Sequence, residues 1–239
     1  MINTILFDLD GTVLPLNMEL FMKIYFDEMS NAFSDIIEKE TLINYIWTAT
    51  GEMIKNTEKR TNESVFMEKF GELINDDLEM YKGRFDKFYD EGFQKAKVSA
   101  SENEWIIKSL EVLKEKNYNL VLATNPLFPK KAILHRVRWA NVDPNTFSYI
   151  TSYEENSYCK PQIHYYKEIL EDIHKEPSEC MMVGNDVQED MIAGRLGLKT
   201  YLIEDCIINR TDEEVVCDYS GKYEDFYNFV CNLPSVNEQ

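Results

Sequence analysis

The sequence predicts an α/β protein with a mainly parallel sheet, interrupted by one all-helical block. Short apolar runs at 4–7, 118–125, 147–152, 180–184 and 199–203 alternate with amphipathic stretches, the pattern of strands joined by crossover helices. From about 18 to 95 the alternation stops and apolar residues fall only at helical spacing. Several of the short runs end in acids or hydroxyls, where open parallel sheets bind ligands.

The first run, "TILF", breaks at Asp8, Asp10 and Gly11, and Pro15 closes the segment. Leu20, Phe21, Ile24 and Tyr25 form one helical stripe, Leu42, Ile43, Ile46 and Trp47 a second, and Phe66, Phe70, Leu73 and Ile74 a third. Three to five helices follow, mostly an antiparallel bundle. Ser101 and Glu104 match a capping box, which predicts a helix from Ser101 to about Asn117. "YNLVLATN" reads as the second strand, 130–140 as a helix and "FSYITS" as the third strand. The stretch 160–173 reads as a helix with Pro161 in its first turn, where a missing N–H does no harm. "CMMVG" is the fourth strand, 188–196 a helix and "KTYLI" the fifth strand. The polar tail after about Asn232 is expected to fray.

Length and composition narrow the functional classes. A chain of 239 residues accommodates one large domain or a domain with an insert, and 44% hydrophobic residues suffice for a core. A formal net charge of −18 argues against nucleic-acid binding. No apolar run is long enough to span a membrane, and the N-terminal residues lack the features of a signal peptide. The five cysteines are odd in number and show no CxxC spacing, so reduced thiols and a cytoplasmic setting are expected. The three histidines lack zinc-ligand spacing with them.

The chemistry gathers at three strand ends: Asp8-Leu9-Asp10-Gly11-Thr12, Thr124-Asn125, and Gly184-Asn185-Asp186 with Asp190 four residues on. Asp8, Asp10, Asp186 and Asp190 would repel one another if brought together bare. A hard divalent cation resolves that conflict, and Mg²⁺, which also takes a substrate phosphate as a ligand, suits such a site. Lys160, Thr124 and the N–H groups from Leu9 to Thr12 would then hold the remaining phosphate oxygens, with Asn125 beside them.

In these residues the chain resembles the haloacid dehalogenase-like superfamily of phosphohydrolases. Residues 8–12 match its DxDGT motif, Thr124 the hydroxyl of its second motif, Lys160-Pro161 its third, and "VGNDVQED" its acidic fourth. The resemblance implies a three-layer Rossmann-like core, residues 1–15 and 97–239, with an α-helical cap, residues 16–96. It further implies a Mg²⁺-dependent phosphatase acting on a small phosphorylated metabolite. Asp8 would be the nucleophile that forms an aspartyl phosphate. Asp10 would protonate the leaving oxygen and later activate water. Thr124 and Lys160 would stabilise the transferring group. The metal would take the Asp8 carboxylate, the Asp10 carbonyl and Asp186, with Asp190 behind it as a partner of water or Lys160. Asn185 is the alternative, neutral ligand.

The cap would exclude water and read the leaving group, with hinges near 14–16 and 97–100. In its loop at 55–64, Lys55 and Arg60 are the candidates for meeting an anionic part of the substrate. Met18, Phe21, Met22 and Phe26 read most simply as cap core. A sugar-phosphate mutase and a non-catalytic binding protein on the same fold are the alternatives. A dehalogenase is disfavoured, because that branch resembles Asp-x-Tyr where this chain has Asp10. The sequence leaves the oligomeric state open.

Overall fold

The computed structural model describes residues 1–211 and 214–236. Six parallel strands form one sheet in the order β3-β2-β1-β4-β5-β6. They are β1 (Thr4–Phe7), β2 (Asn119–Leu122), β3 (Tyr149–Ile150), β4 (Cys180–Gly184), β5 (Lys199–Ile203) and β6 (Tyr219–Gly221). The order reverses at β1, and the register aligns Phe7 with Leu122 on one side and Val183 on the other. Asp8, Ala123 and Gly184 therefore leave the sheet side by side.

Both faces of the sheet are covered, which is why β1 and β4 are buried at every position rather than at alternate ones. Ile5, Phe7, Leu122, Val183 and Ile203 point to one face, where α5 (Glu104–Glu115) and α8 (Tyr223–Asn232) pack. Leu6, Val121 and Met182 point to the other, against Tyr165, Tyr166 and Ile169 of α7 (Ile163–Asp172). This alternation along each strand builds the three layers. The sixth helix in chain order, α6 (Lys130–Trp139), follows the end of β2.

Four helices fill the block between β1 and α5: α1 (Met18–Phe33), α2 (Lys39–Lys55), α3 (Asn62–Ile74) and α4 (Leu78–Asp90). Each of three N-termini is capped by a side chain of the preferred type, Asn17, Thr61 and Asp77. Phe33, Phe70, Tyr81 and Phe85 stack or meet edge-on to form the bundle's centre. The two connections to the core lie together. Leu16 and Ala100 form an antiparallel bridge, with Asn17 N–H to the Ser99 carbonyl at 2.9 Å and Ser101 N–H to the Pro15 carbonyl at 3.0 Å. A 3-10 helix, Gly92–Ser99, makes the return, so the expected boundary at 96–97 falls inside it.

Several expected elements change. The N-cap of α5 is Asn103, whose Oδ1 accepts from Trp105 and Ile106 N–H at 3.0 and 3.3 Å, while Ser101 is used by the linker bridge. The helix expected at 160–173 starts at Ile163, because Lys160 N–H is taken by Asn125 Oδ1 and Gln162 N–H by the Cys159 carbonyl, which makes 159–162 a turn before the helix. The helix expected at 188–196 is a tight turn followed by a 3-10 segment, Met191–Leu196, because Asp186 accepts from the Gln188 and Glu189 N–H groups. The second and third strands are shorter than their apolar runs, and β6 and α8 extend the core beyond the fifth strand. The tail after Asn232 is anchored, not frayed, as far as Val236. Lys116 Nζ donates to the Val230, Cys231 and Leu233 carbonyls, and Val236 N–H meets the Lys116 carbonyl at 2.9 Å. Residues 237–239 lie outside the described residues. Among the described residues, no helix is long and apolar enough to cross a membrane.

Candidate active site

The parallel register delivers the predicted strand-end residues to one place. Asp8, Asp10, Thr124, Asn125, Asn185, Asp186 and Asp190 all line a cavity of about 710 Å³ between the sheet and helices α1–α4. Lys160 lies beneath its floor, almost wholly buried, and links two acids: its Nζ is 2.8 Å from Asp8 Oδ1 and 2.6 Å from Asp190 Oδ1. Burial works to lower the Lys160 ammonium, but Asp190 and Asp8 outweigh it and hold it above the usual lysine range. Burial likewise pushes the Asp190 carboxyl up, against the pull of Lys160.

Two glycines make this crowding possible. A Cβ on Gly184 would stand 2.1 Å from Asp190 Oδ2, so only glycine lets that carboxylate fold back over the strand. There Asp190 Oδ2 accepts from Asp186 N–H at 3.0 Å. Gly11 has a φ of +87°, and a Cβ there would stand 2.3 Å from Asn185 Nδ2.

The turn after β1 is closed on itself. Gly11 N–H donates to the Leu14 carbonyl at 2.7 Å, and Thr12 N–H to that of Leu9 at 3.2 Å. Both N–H groups are taken, which corrects the expectation that they meet phosphate. The Leu9 side chain is fully buried and serves the core. The Thr12 hydroxyl donates to Asn185 Oδ1 at 3.0 Å, and Asn185 Nδ2 donates to the Cys206 carbonyl at 2.7 Å. Asn185 thus braces the floor with both ends of its amide. Asp186 caps the turn that follows with Oδ1 and pairs through Oδ2 with Arg210 at 2.5 Å. Asn125 bridges the Lys160 N–H and the Glu189 carboxylate, and Thr124 offers its carbonyl to the Tyr165 hydroxyl at 2.8 Å.

Lys55 and Arg60 are not brought to the cavity. Lys55 is exposed beside Glu52, and Arg60 pairs with Glu68 on the surface, so the expectation that they meet substrate is corrected. Met18, Met22 and Phe26 line the cavity from α1, where a core role is expected from their spacing. Phe21 does both, with its ring 1% exposed.

The residue that sequence reasoning misses is Arg136 on α6. It is 1% exposed, pairs with Asp10 Oδ2, and lies with its guanidinium 4.5 Å from the centre of the Phe128 ring. Asp10 Oδ1 and two Arg136 nitrogens, Nε and Nη2, are buried with no hydrogen-bond partner among the described residues. Burial raises the Asp10 carboxyl above its ordinary range; Arg136 pulls it down and Asp8 pushes it up. A signal was present: Arg136 falls on the stripe of Ala132, Ile133 and Val137, a charge on an otherwise apolar face.

Among the described residues no three acid, histidine or cysteine side chains are gathered as a ready metal site, so the case for a divalent cation is one of charge balance. Five carboxylates, Asp8, Asp10, Asp186, Glu189 and Asp190, face three cations, Lys160, Arg136 and Arg210, a formal excess of two negative charges. Unpaired buried charge is costly, and a divalent cation on oxygen ligands removes that excess.

Residues 5–203 match the family of haloacid dehalogenase-like hydrolases. The chain belongs to that family. Among curated relatives, Pyrophosphatase PpaX of Bacillus cereus is 24% identical over 200 residues, covering 83% of this chain and 82% of the relative. Pyrophosphatase PpaX of Bacillus pumilus is 23% identical over 199 residues with the same coverage. Among solved structures, a HAD phosphatase from Thermococcus onnurineus has a TM-score of 0.59 at 20% identity, covering 98% of this chain and 100% of that one. The L-2-haloacid dehalogenase of Xanthobacter autotrophicus has a TM-score of 0.59 at 14% identity with the same coverage. At these identities the structural likeness speaks for the shared fold, and phosphatases and dehalogenases both carry it.

Proposed function

We propose that this hydrolase is a Mg²⁺-dependent phosphatase that cleaves a small phosphate monoester through an aspartyl phosphate. The observation that carries this reading is Asp10: a second carboxyl beside Asp8, facing the same cavity, held by Arg136 and raised by burial. Ester cleavage needs a group that gives a proton to the leaving oxygen and later takes one from water, and a raised carboxyl does both. The PpaX relatives are named for pyrophosphate; what we carry over is phosphoryl transfer to water.

In this reading an Asp8 carboxylate oxygen forms the bond to phosphorus as the bond to the leaving oxygen breaks, and Asp10 supplies the leaving group's proton. Water then adds to phosphorus, its proton goes to Asp10, and the Asp8–phosphorus bond breaks to free phosphate. Thr124, Asn125 and Lys160 are assigned to the phosphate oxygens. Asp8, the Asp10 carbonyl and Asp186 would hold Mg²⁺, which when bound supplies charge stabilisation at the phosphate. Asp190 would keep Lys160 in place, and the charge of the Asp186 carboxylate favours it over the neutral amide of Asn185 as the ligand, with Arg210 giving way to the cation. Residues 16–96 act as the cap over a core of 1–15 and 97–239. The substrate is a phosphorylated metabolite, and the unpaired spacing of the cysteines supports a cytoplasmic setting.

A phosphate-release assay on a panel of esters, with and without Mg²⁺, tests the reading. Release should require Mg²⁺ and vanish in Asp8→Asn, which keeps the side-chain shape while removing the nucleophile. Full activity in that variant, or release indifferent to chelators, would sink it.

A further inference from the structure

The upper part of the cavity differs in kind from its floor. Its walls are Phe26 of α1, Trp47 of α2, Phe66 of α3 and Phe85 of α4. Met18 and Trp47 remain 43% and 52% exposed, although the rings of Phe26 and Trp47 meet at 5.6 Å. Phe66 and Phe85 likewise meet at 6.5 Å, and both aromatic pairs line the same cavity as Asp8 and Asp10. A cavity of this size, with an aromatic wall beside a polar floor, is of the kind that encloses a small organic ligand.

The charges around it are already answered. Lys82 pairs with Glu79 at 2.7 Å, and Lys131 with Asp86 and Asp90 at 2.5 and 3.0 Å. Arg210 pairs with Asp186 and Arg136 with Asp10. Among the described residues, every cation lining the cavity thus has a carboxylate partner, and Glu63 and Glu154 add further carboxylates to the lining. A second phosphate placed there would lose its hydration and meet net repulsion.

We propose that the group esterified to the transferred phosphate is an uncharged, apolar body of aromatic size, seated among Phe26, Trp47, Phe66 and Phe85. This rests on the phosphatase reading above and names its substrate class. Such a body buries roughly 150–250 Å². With about half of that area sealed from water in a cavity open at one side, it corresponds to a preference on the order of 100-fold over an ester without it.

The test compares 2-(2-naphthyl)ethyl phosphate with ethyl phosphate on the Mg²⁺-loaded protein. Both are esters of primary alcohols, so the reacting bond is nearly the same and the apolar body is the main variable. The naphthylethyl ester should show kcat/KM about 100-fold higher, and Trp47→Ala should shrink that ratio about tenfold or more. Calorimetry with the two matching phosphonates, which do not turn over, should show a similar preference in Kd on the unaltered protein. Ratios within threefold in both assays overturn the proposal, and so does better turnover of pyrophosphate or phosphocholine than of the naphthylethyl ester. If no ester releases phosphate while the phosphonates differ about 100-fold, the pocket assignment stands and the phosphatase reading falls. Because the binding comparison needs no variant, a folding defect in Trp47→Ala leaves it decisive.

Discussion

Arg136 and Asp10 form an ion pair buried at the floor of the cavity, with side chains 1% and 17% exposed. The arginine comes from α6 and the aspartate from the turn after β1, so the contact ties two distant segments at the reacting centre. Removing one partner leaves the other as an uncompensated charge, which costs about 3–5 kcal/mol in such settings. Arg136→Ala should therefore lower stability by that order in a denaturant titration.

The same pair has a kinetic signature. If Arg136 positions Asp10 for proton delivery, Arg136→Gln should slow esters of poor leaving groups by about 10²-fold or more and barely slow aryl phosphates, whose leaving oxygens need no proton. Equal losses on both esters would reduce Arg136 to a structural strut. Combining Arg136→Gln with Asp10→Asn should cost little more than Asp10→Asn alone, because neighbours that act as a unit are not additive.

Metal dependence separates the two candidates of the fourth motif. Asp186→Ala should raise the Mg²⁺ concentration needed for half-maximal activity far more than Asn185→Ala, since a carboxylate balances a divalent charge and an amide offers only a dipole. Asn185→Ala should instead lower the melting temperature, because the amide holds both the Thr12 hydroxyl and the Cys206 carbonyl. The reverse pattern would make Asn185 the ligand.

Gly184→Ala places a Cβ 2.1 Å from Asp190 Oδ2, so the carboxylate must shift away from its bond to Lys160. The substitution should cost about 1–3 kcal/mol in stability. Wild-type melting behaviour in Gly184→Ala would show that Asp190 has another resting position.

At the start of α5, Asn103→Ala should cost about 1 kcal/mol in a denaturant titration. Ser101→Ala should cost a few tenths at most, since its side chain caps nothing there.

Asp8, Asp10, Thr124 and Asp186 are legible in the sequence because a parallel sheet carries polar strand ends to a single edge, whatever the connections between them. Lys160 is legible by its motif, but the helix start is not: the turn at 159–162 is held by the side chain of Asn125 on a distant strand end, which leaves no mark in local spacing. Arg210 reaches Asp186 from a loop with no periodicity, so nothing in the chain marks it. The cap aromatics fail for a different reason. A helix between a bundle core and a cavity is apolar on two faces, and Phe33 and Phe26, one buried and one in the cavity wall, look alike in sequence. At three residues, β6 is too short to alternate, whereas Tyr223, Phe226 and Val230 of α8 do carry a helical stripe that spacing alone reveals.

The bridge between Leu16 and Ala100 puts both ends of the helical block at one point of the molecule, about one strand spacing apart. Such a junction behaves like a socket. Any segment that folds with its termini about 5 Å apart would present the same plug, since no strand of the sheet lies within the helical block. Grafting another helical block between the paired linkers should therefore replace the whole upper wall of the cavity while the acids and glycines at the strand ends stay as they are.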